Sequence, residues 1–189
     1  MALRVIAGSA GGIPLQCPKG DHVRPTMEQV RGAIFSSLAT LVAEARVLDL
    51  FAGAGSLGVE ALSRGAATVV FVERDRRTVE CIRANLTKTH LADAGEVVTS
   101  DALAYLGHPT TKEPFDLIFA DPPYTTAEQP VDFPAKLLAA PGLLTRLKEG
   151  GVFVLEKSPL RPLPAELPGW NILRQKRYGT TEVIFLQPS

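Results

Sequence analysis

An apolar run from Phe115 to Ala120 ends on Asp121, Pro122, Pro123 and Tyr124. Consecutive prolines hold φ near about −65°, remove two N–H donors and push the residue before each toward extended backbone. The result is a rigid edge built of acceptors. The Asp121 carboxylate and the Pro122 carbonyl can accept both hydrogens of one planar amino group, while Tyr124 offers a flat face to the ring that bears it. That chemistry suits an exocyclic amine on a nucleobase, a poor nucleophile because its lone pair is delocalised into the ring. Fixed acceptors on both hydrogens favour a pyramidal nitrogen and turn the lone pair toward an electrophile. The plain alternative is a proline-rich turn closing a strand.

A second constellation lies upstream. The stretch FAGAGSLG sets Gly53, Gly55 and Gly58 as G-x-G-x-x-G between a strand and a helix, and Glu73 ends the next strand. Taken alone this is a dinucleotide fingerprint, in which the acid accepts from ribose hydroxyls. Asp49, inside the first strand, changes the reading: an acid aimed into this crevice repels a pyrophosphate and suits a ligand with an ammonium group. Its structural alternative is an N-cap or a buried polar partner. S-adenosylmethionine has an amino-acid end, a ribose, an adenine and no phosphate. Asp101, just past the third strand, either accepts from an adenine amino group or caps a short helix from Ala102 to Leu106. A nicotinamide dehydrogenase would share the glycines and Glu73 but would leave Asp-Pro-Pro-Tyr without a role. A catalytically silent RNA-binding module would have no need of Asp121 or the glycines.

The elements that must position these residues divide near residue 45. Before it, Leu3 to Ala7 and Ile13 to Cys17 flank a Gly-rich stretch and predict a hairpin at the edge of the fold. An amphipathic helix of about four turns follows, with Met27, Val30, Ile34, Phe35, Leu38, Leu41 and Val42 on its apolar face and Thr26 and Gln29 spaced as a capping box. After residue 45, apolar runs at 47–51, 68–72, 97–99, 115–120 and 152–155 alternate with helical patterns, which predicts a parallel sheet covered on both faces. The closing stretches WNILRQKRYG and TEVIFL lack a helix between them and predict two antiparallel strands. The Pro-rich segment 158–169 reads as a surface connection. The reading is therefore an α/β fold of Rossmann-like type, with an extension over 1–45 and a domain over 46–189.

The 189 residues are 46% hydrophobic, enough for one sizeable core. Lys plus Arg and Asp plus Glu each total 20, so bulk charge does not drive nucleic-acid binding and any such contact must be local. Cys17 and Cys81 are too isolated for a disulfide scaffold or a zinc site, and Cys81 reads as core on its helix. His22, His90 and His108 fit no metal or nucleophile arrangement and read as surface residues. No apolar segment is long enough to span a membrane, and the setting expected is a reducing cytoplasm.

The stretches RVIAGSAGG, VRPTMEQVRGAIFSSL, VLDLFAGAGSLGVEALSRGA, VFVERD, FDLIFADPPY and YGTTEVIFL together resemble the bacterial 16S ribosomal RNA guanine-N2 methyltransferases, in order and across nearly the whole chain. The Asp-Pro-Pro-Tyr motif is shared with methyltransferases acting on the N6 amine of adenine in DNA or RNA; the hairpin and the Arg24-Pro25-Thr26 helix start narrow the likeness. The resemblance implies a seven-stranded sheet with an antiparallel last strand. It implies S-adenosylmethionine as cofactor, leaving as S-adenosylhomocysteine, with no metal. Asp49, Ala52, Gly53, Ala54, Gly55, Gly58, Glu73, Arg74, Asp101 and Ala102 would line the cofactor. Asp121, Pro122, Pro123 and Tyr124 would hold the target base, with Tyr124 stacking rather than acting through its hydroxyl. Arg4, Arg24, Thr26 and Arg31 near the first helix, with Arg174, Lys176 and Arg177 near the end, are the candidate RNA contacts. The partner implied is 16S ribosomal RNA, within the small subunit or an assembly intermediate, met by a monomer.

Overall fold

A computed structural model describes residues 3–17, 25–109, 113–124 and 131–189, without the side chains of residues 25–27. In chain order the elements are α1 (Pro25–Leu38), β1 (Arg46–Leu50), α2 (Ser56–Ser63), β2 (Thr68–Glu73), α3 (Arg76–Lys88), β3 (Gly95–Thr99), α4 (Ala102–Gly107), β4 (Phe115–Ala120), α5 (Phe133–Leu138), α6 (Pro141–Leu144), β5 (Leu147–Lys157), β6 (Trp170–Tyr178) and β7 (Thr181–Pro188). The strands form one seven-stranded sheet in the order β3-β2-β1-β4-β5-β7-β6. β3 through β5 pair in parallel, whereas β7 pairs antiparallel with both β5 and β6. The strand order reverses between β1 and β4, and in open α/β sheets that switch point opens the ligand crevice at the strands' carboxyl ends.

The apolar alternation sorts each strand onto two cores. Val47, Val69, Phe71, Leu117, Phe119, Val152, Val154, Val183 and Phe185 face α1, α2 and α3. Leu48, Leu50, Val70, Val72, Ile118, Ala120, Phe153, Leu155, Ile184 and Leu186 face α4, α5 and α6. Helix and sheet approach closely at Gly58, where a Cβ would stand 2.2 Å from Cε1 and 2.7 Å from Cζ of Phe71 and 2.9 Å from Cγ1 of Val69.

The N-terminal hairpin is present in reduced form, as a single antiparallel bridge between Arg4 and Pro14 flanked by the bonds Val5 N–H to Ile13 C=O and Leu15 N–H to Leu3 C=O. It does not join the sheet edge. Leu3, Val5, Ala10 and Leu15 are buried in the same core as α1 and α2, and a buried carboxylate explains why. Glu60 of α2 accepts the N–H groups of Ile6 at 2.7 Å and Ala7 at 3.1 Å, while Arg64 Nε donates to it at 2.7 Å. Ser63 accepts from Ala10 N–H at 3.0 Å and donates to Ala7 C=O at 2.6 Å. The second arm is tied by Asn85 of α3, which accepts from Gln16 N–H and donates to the carbonyls of Gln16 and Ala54.

The first helix departs from expectation at its end. A 3-10 turn over Ala39–Val42 replaces the last α turn, and Ala39 takes φ of +45°. The phase of the apolar stripe shifts there, so Leu41 is 51% exposed while Val42 is buried. Cys81 lies half-buried rather than in the core. The segment 158–169 carries no helix or strand, as expected of a surface connection.

Replacing Gly58 by alanine forces a methyl into the Phe71 ring, and the expected cost is about 1–3 kcal/mol of overpacking. Urea unfolding followed by circular dichroism should show a lowered midpoint with an unchanged slope.

Candidate active site

A cavity of about 380 Å³ opens at the carboxyl ends of β1, β2 and β4, lined by Asp49, Phe51 to Ala54, Ser56, Leu57, Val72 to Arg74, Ser100 to Ala102, Asp121, Pro123 and Phe133, with Leu3 and Cys17 from the hairpin. Of the residues expected at the site, Asp49, Ala52, Gly53, Ala54, Glu73, Arg74, Asp101, Ala102, Asp121 and Pro123 meet here, while Pro122 and Tyr124 line the neighbouring cavity. Leu3 and Cys17, whose place depends on Glu60 and Asn85 anchoring the hairpin, and Phe51 carry no such signal in the sequence. Phe51 takes φ of +57° and packs edge-on against Phe133 with ring centroids 5.2 Å apart. A bulky residue in the left-handed region is strained, and the strain starts the turn that aims the glycine loop across the crevice.

Each acid has a defined partner. Asp49 is buried, and its Oδ2 accepts from Gly58 N–H in the first turn of α2 at 2.9 Å. Burial holds its pKa well above the usual carboxylate range, and the facing Asp121 and Glu73 add to that against the Gly58 bond. Glu73 accepts from Gly53 N–H at 3.0 Å and from Asp75 N–H at 2.9 Å, so it braces the glycine loop. Asp101 caps α4, its Oδ1 accepting from Leu103 and Ala104 N–H. Gly55 and Gly58 do not line the cavity. Gly55, with φ of +77°, makes the turn into α2, and a Cβ there would meet Ile82 and Phe71 at 3.3 Å. These two glycines serve the backbone and the packing, and Gly53 alone of the three borders the crevice.

At the end of the fourth strand Asp121 and Pro123 line this cavity, whereas Pro122 is buried and does not. Burial pushes the Asp121 pKa up to about 6. A neighbour unforeseen from sequence stands beside it: the last rungs of β4 and β5 pair Ala120 with Leu155, so Glu156 is the next residue out on the adjacent strand. Burial and the Asp121 charge hold Glu156 well above the usual glutamate range, while Arg31 attracts its charged form. Tyr124 is 38% exposed, and its hydroxyl shares a 2.9 Å hydrogen bond with Thr181 Oγ1 at the start of β7. The hydroxyl thus has an anchoring role that the resemblance does not suggest. A second cavity, of about 230 Å³, lies beside the motif.

The candidate RNA contacts separate. Arg174, Lys176 and Arg177 stand exposed on β6; Arg174 donates to Ser37 Oγ and Arg177 to Gly179 C=O. Arg4 is exposed and paired with Glu28 at 3.0 Å. Arg31 is not presented to a macromolecule: it is 3% exposed, lies 3.6 Å from Glu60 and donates to Arg4 C=O. An ion pair inside the N-terminal packing claims it. Arg24 and the Thr26 side chain, with the capping box expected there, lie outside the described residues, as does His22. His90 and His108 are exposed.

Four carboxylates and one cation, Arg74, line the first cavity. Such a lining disfavours a pyrophosphate and favours a positively charged ligand, and S-adenosylmethionine, with its sulfonium and ammonium groups, fits it. Comparison with known proteins agrees with the geometry. The family described as Conserved hypothetical protein 95 matches residues 3–187. The chain belongs to that family. The YlbH protein of Bacillus subtilis is 36% identical over 182 residues, covering 96% of each chain. The ribosomal RNA small subunit methyltransferase D of Escherichia coli K12 is 33% identical over 179 residues, 94% of this chain and 85% of that one. The solved yhhF structure from Escherichia coli superposes with a TM-score of 0.84 at 28% identity, covering 100% of this chain and 99% of that one. The fold is that of the S-adenosylmethionine-dependent methyltransferases, and by family and fold the chain is a methyltransferase.

The raised Asp121 pKa carries a stability consequence. Its folded value of about 6 exceeds its ordinary 3.8, so the native state holds the proton more tightly than the unfolded chain, and stability falls as pH rises through that window. Asp121→Asn should melt a few degrees above wild type at pH 7 and match it near pH 3.5, as read by ligand-free thermal unfolding across pH.

Proposed function

We propose that the chain transfers a methyl group from S-adenosylmethionine to the exocyclic N2 amine of a guanine in small-subunit ribosomal RNA. The observation that carries this reading is the continuity of the motif across two adjoining cavities: Asp121 and Pro123 line the acid-lined one, and Pro122, Pro123 and Tyr124 line the one beside it. Asp49 would face the amino-acid end of the cofactor, Glu73 the ribose, and Asp101 with Ala102 the adenine. The cofactor supplies an electrophilic methyl on a sulfonium. The target base leaves its stack to reach the crevice and lies against Tyr124. Asp121 and the Pro122 carbonyl accept its two N–H bonds and fix the direction of the nitrogen lone pair. As the N–CH3 bond forms, the electron pair of the breaking S–CH3 bond returns to sulfur and the amine becomes cationic. Asp121, with a pKa of about 6, then takes the proton the amine releases and passes it to solvent. Proton transfer of this kind works best when the acceptor's pKa lies near the working pH.

RNA as the substrate is supported by the name of the Escherichia coli relative and by the exposed cations of β6, an edge strand tied through β7 and Thr181 to Tyr124. The zero net charge favours an RNA already shaped by its protein neighbours, in the small subunit or an assembly intermediate, met by a cytoplasmic monomer.

Nucleoside mass spectrometry of under-methylated small subunits incubated with enzyme and labelled cofactor should yield N2-methylguanosine, and N6-methyladenosine would refute the assignment. In the same assay Asp121→Ala should keep cofactor affinity and lose about 100-fold or more in kcat. Replacing both Lys176 and Arg177 by alanine should weaken RNA binding across sequences and reduce the slope of log Kd against log salt by about two.

A further inference from the structure

Glu156 is the acid beside the motif that the reaction just described leaves unused. Its place is fixed from both sides: β5 pairs with β4 through Leu155 and Ala120, and with β7 through Glu156 and Val183. Val183 is buried in the core beneath α1, and residues paired directly across strands share a face, so Glu156 lies on that side of the sheet. Asp121, two residues after Phe119 of the same core, lies there too, as does Asp49, the partner of Phe119 on β1. Three carboxylates thus share one face of three adjacent strands, with Asp121 and Glu156 level at the rim.

Their partners differ. Asp49 accepts from Gly58 N–H, and Asp121 is left for the amine. The Glu156 carboxylate is half-buried and makes no hydrogen bond among the described residues. The cation that acts on it is Arg31 of α1, which stands against Glu60 and whose buried Nε has no hydrogen-bond partner among the described residues. A carboxylate held out of water without a donor is costly, and a ligand that brings a donor removes that cost. The chemistry of the bases says which donor is on offer. In guanine the ring atom beside the C2 amine, along the Watson–Crick edge, is N1 with its hydrogen; in adenine the atom beside the C6 amine is a bare N1 with a lone pair. Adjacent strands stand about 4.8 Å apart, so an acceptor on β5 reaches the ring position next to an amine held at the end of β4.

We propose that Glu156 is the residue that selects guanine: its carboxylate accepts the ring N1–H while Asp121 and the Pro122 carbonyl accept the two hydrogens of the adjoining amine. The assignment rests on the reading of Asp121 as the acceptor for a guanine amine. Arg31 and the positive charge of the cofactor favour an ionised Glu156, against the burial and the Asp121 charge that oppose it. An ionised carboxylate only accepts. An adenine in the same seat leaves that charge without a donor and sets a lone pair against it. A site built around a substrate N–H rejects an analogue lacking it far more strongly than shape alone does.

The test compares substrate RNA carrying guanine at the target with RNA carrying 2-aminopurine there, a base that keeps the C2 amine but has no hydrogen on N1. Wild type should lose about 100-fold in kcat/KM on 2-aminopurine. Glu156→Gln, whose amide can donate to a bare N1, should lose about tenfold on guanine and bring the two RNAs within about threefold of each other. Glu156→Ala removes the acceptor and should narrow the ratio as well, which keeps the comparison available if the glutamine variant does not fold. Calorimetry with S-adenosylhomocysteine should show an intact cofactor site in each variant, and fluorescence anisotropy should rank the Kd values of the two RNAs in the same order as the rates. A residue that only supports the fold would slow both RNAs alike. A guanine to 2-aminopurine ratio unchanged between wild type and the variants would overturn the proposal and leave the N2 assignment standing. If wild type yields no N2-methylguanosine, the N2 assignment fails and the role of Glu156 fails with it.

Discussion

A buried carboxylate that must find donors on all sides organises the N-terminal third of this protein. Glu60 sits at 0% exposure and collects two backbone N–H groups from the hairpin, one arginine from the residue that ends its own helix and a second from α1. An ionised carboxylate in such a place is tolerable only when its lone pairs are filled. The requirement therefore pulls three segments, far apart in sequence, into one packing unit. What that unit contributes is a wall: Leu3 and Cys17, carried in by the hairpin, close the side of the main cavity that the sheet leaves open.

The crevice poses the opposite electrostatic problem. Asp49, Glu73, Asp101 and Asp121 converge where β1, β2, β3 and β4 end, and Glu156 stands beside Asp121. Backbone N–H groups relieve Asp49, Glu73 and Asp101, but burial still raises Asp49, Asp121 and Glu156. The ligand-free protein holds this strain in place of stability, a trade common where activity needs a prearranged site. A cationic ligand relaxes it, which gives the cavity a preference set by charge before shape is considered.

Much of this was legible in the residues. The strands announced themselves because each is a short apolar run bounded by turn chemistry, and the Asp-Pro-Pro-Tyr edge was legible because proline dictates its own backbone. Legibility failed where a long-range partner decided the outcome. Arg31 reads as an available cation until Glu60 is brought beside it; Gly58 reads as a cofactor contact until Phe71 is found packed on it; Leu41 reads as core until a 3-10 turn rotates it outward. Leu3, Cys17 and Glu156 carry no local signal, since their positions follow from how the hairpin docks and how β4 and β5 register.

The strand order has a consequence for how the chain comes into being. β7 is made after β6 yet lies inside the sheet, between β5 and β6. While the chain is being synthesised, β5 carries an open hydrogen-bonding edge and β6 has no neighbour, until Thr181–Pro188 emerges and joins both. A half-built sheet with an open edge is a template for the wrong strand. In the finished sheet β6 is the edge strand, and its exposed Arg174, Lys176 and Arg177 are charged groups of the kind that discourage edge-to-edge pairing.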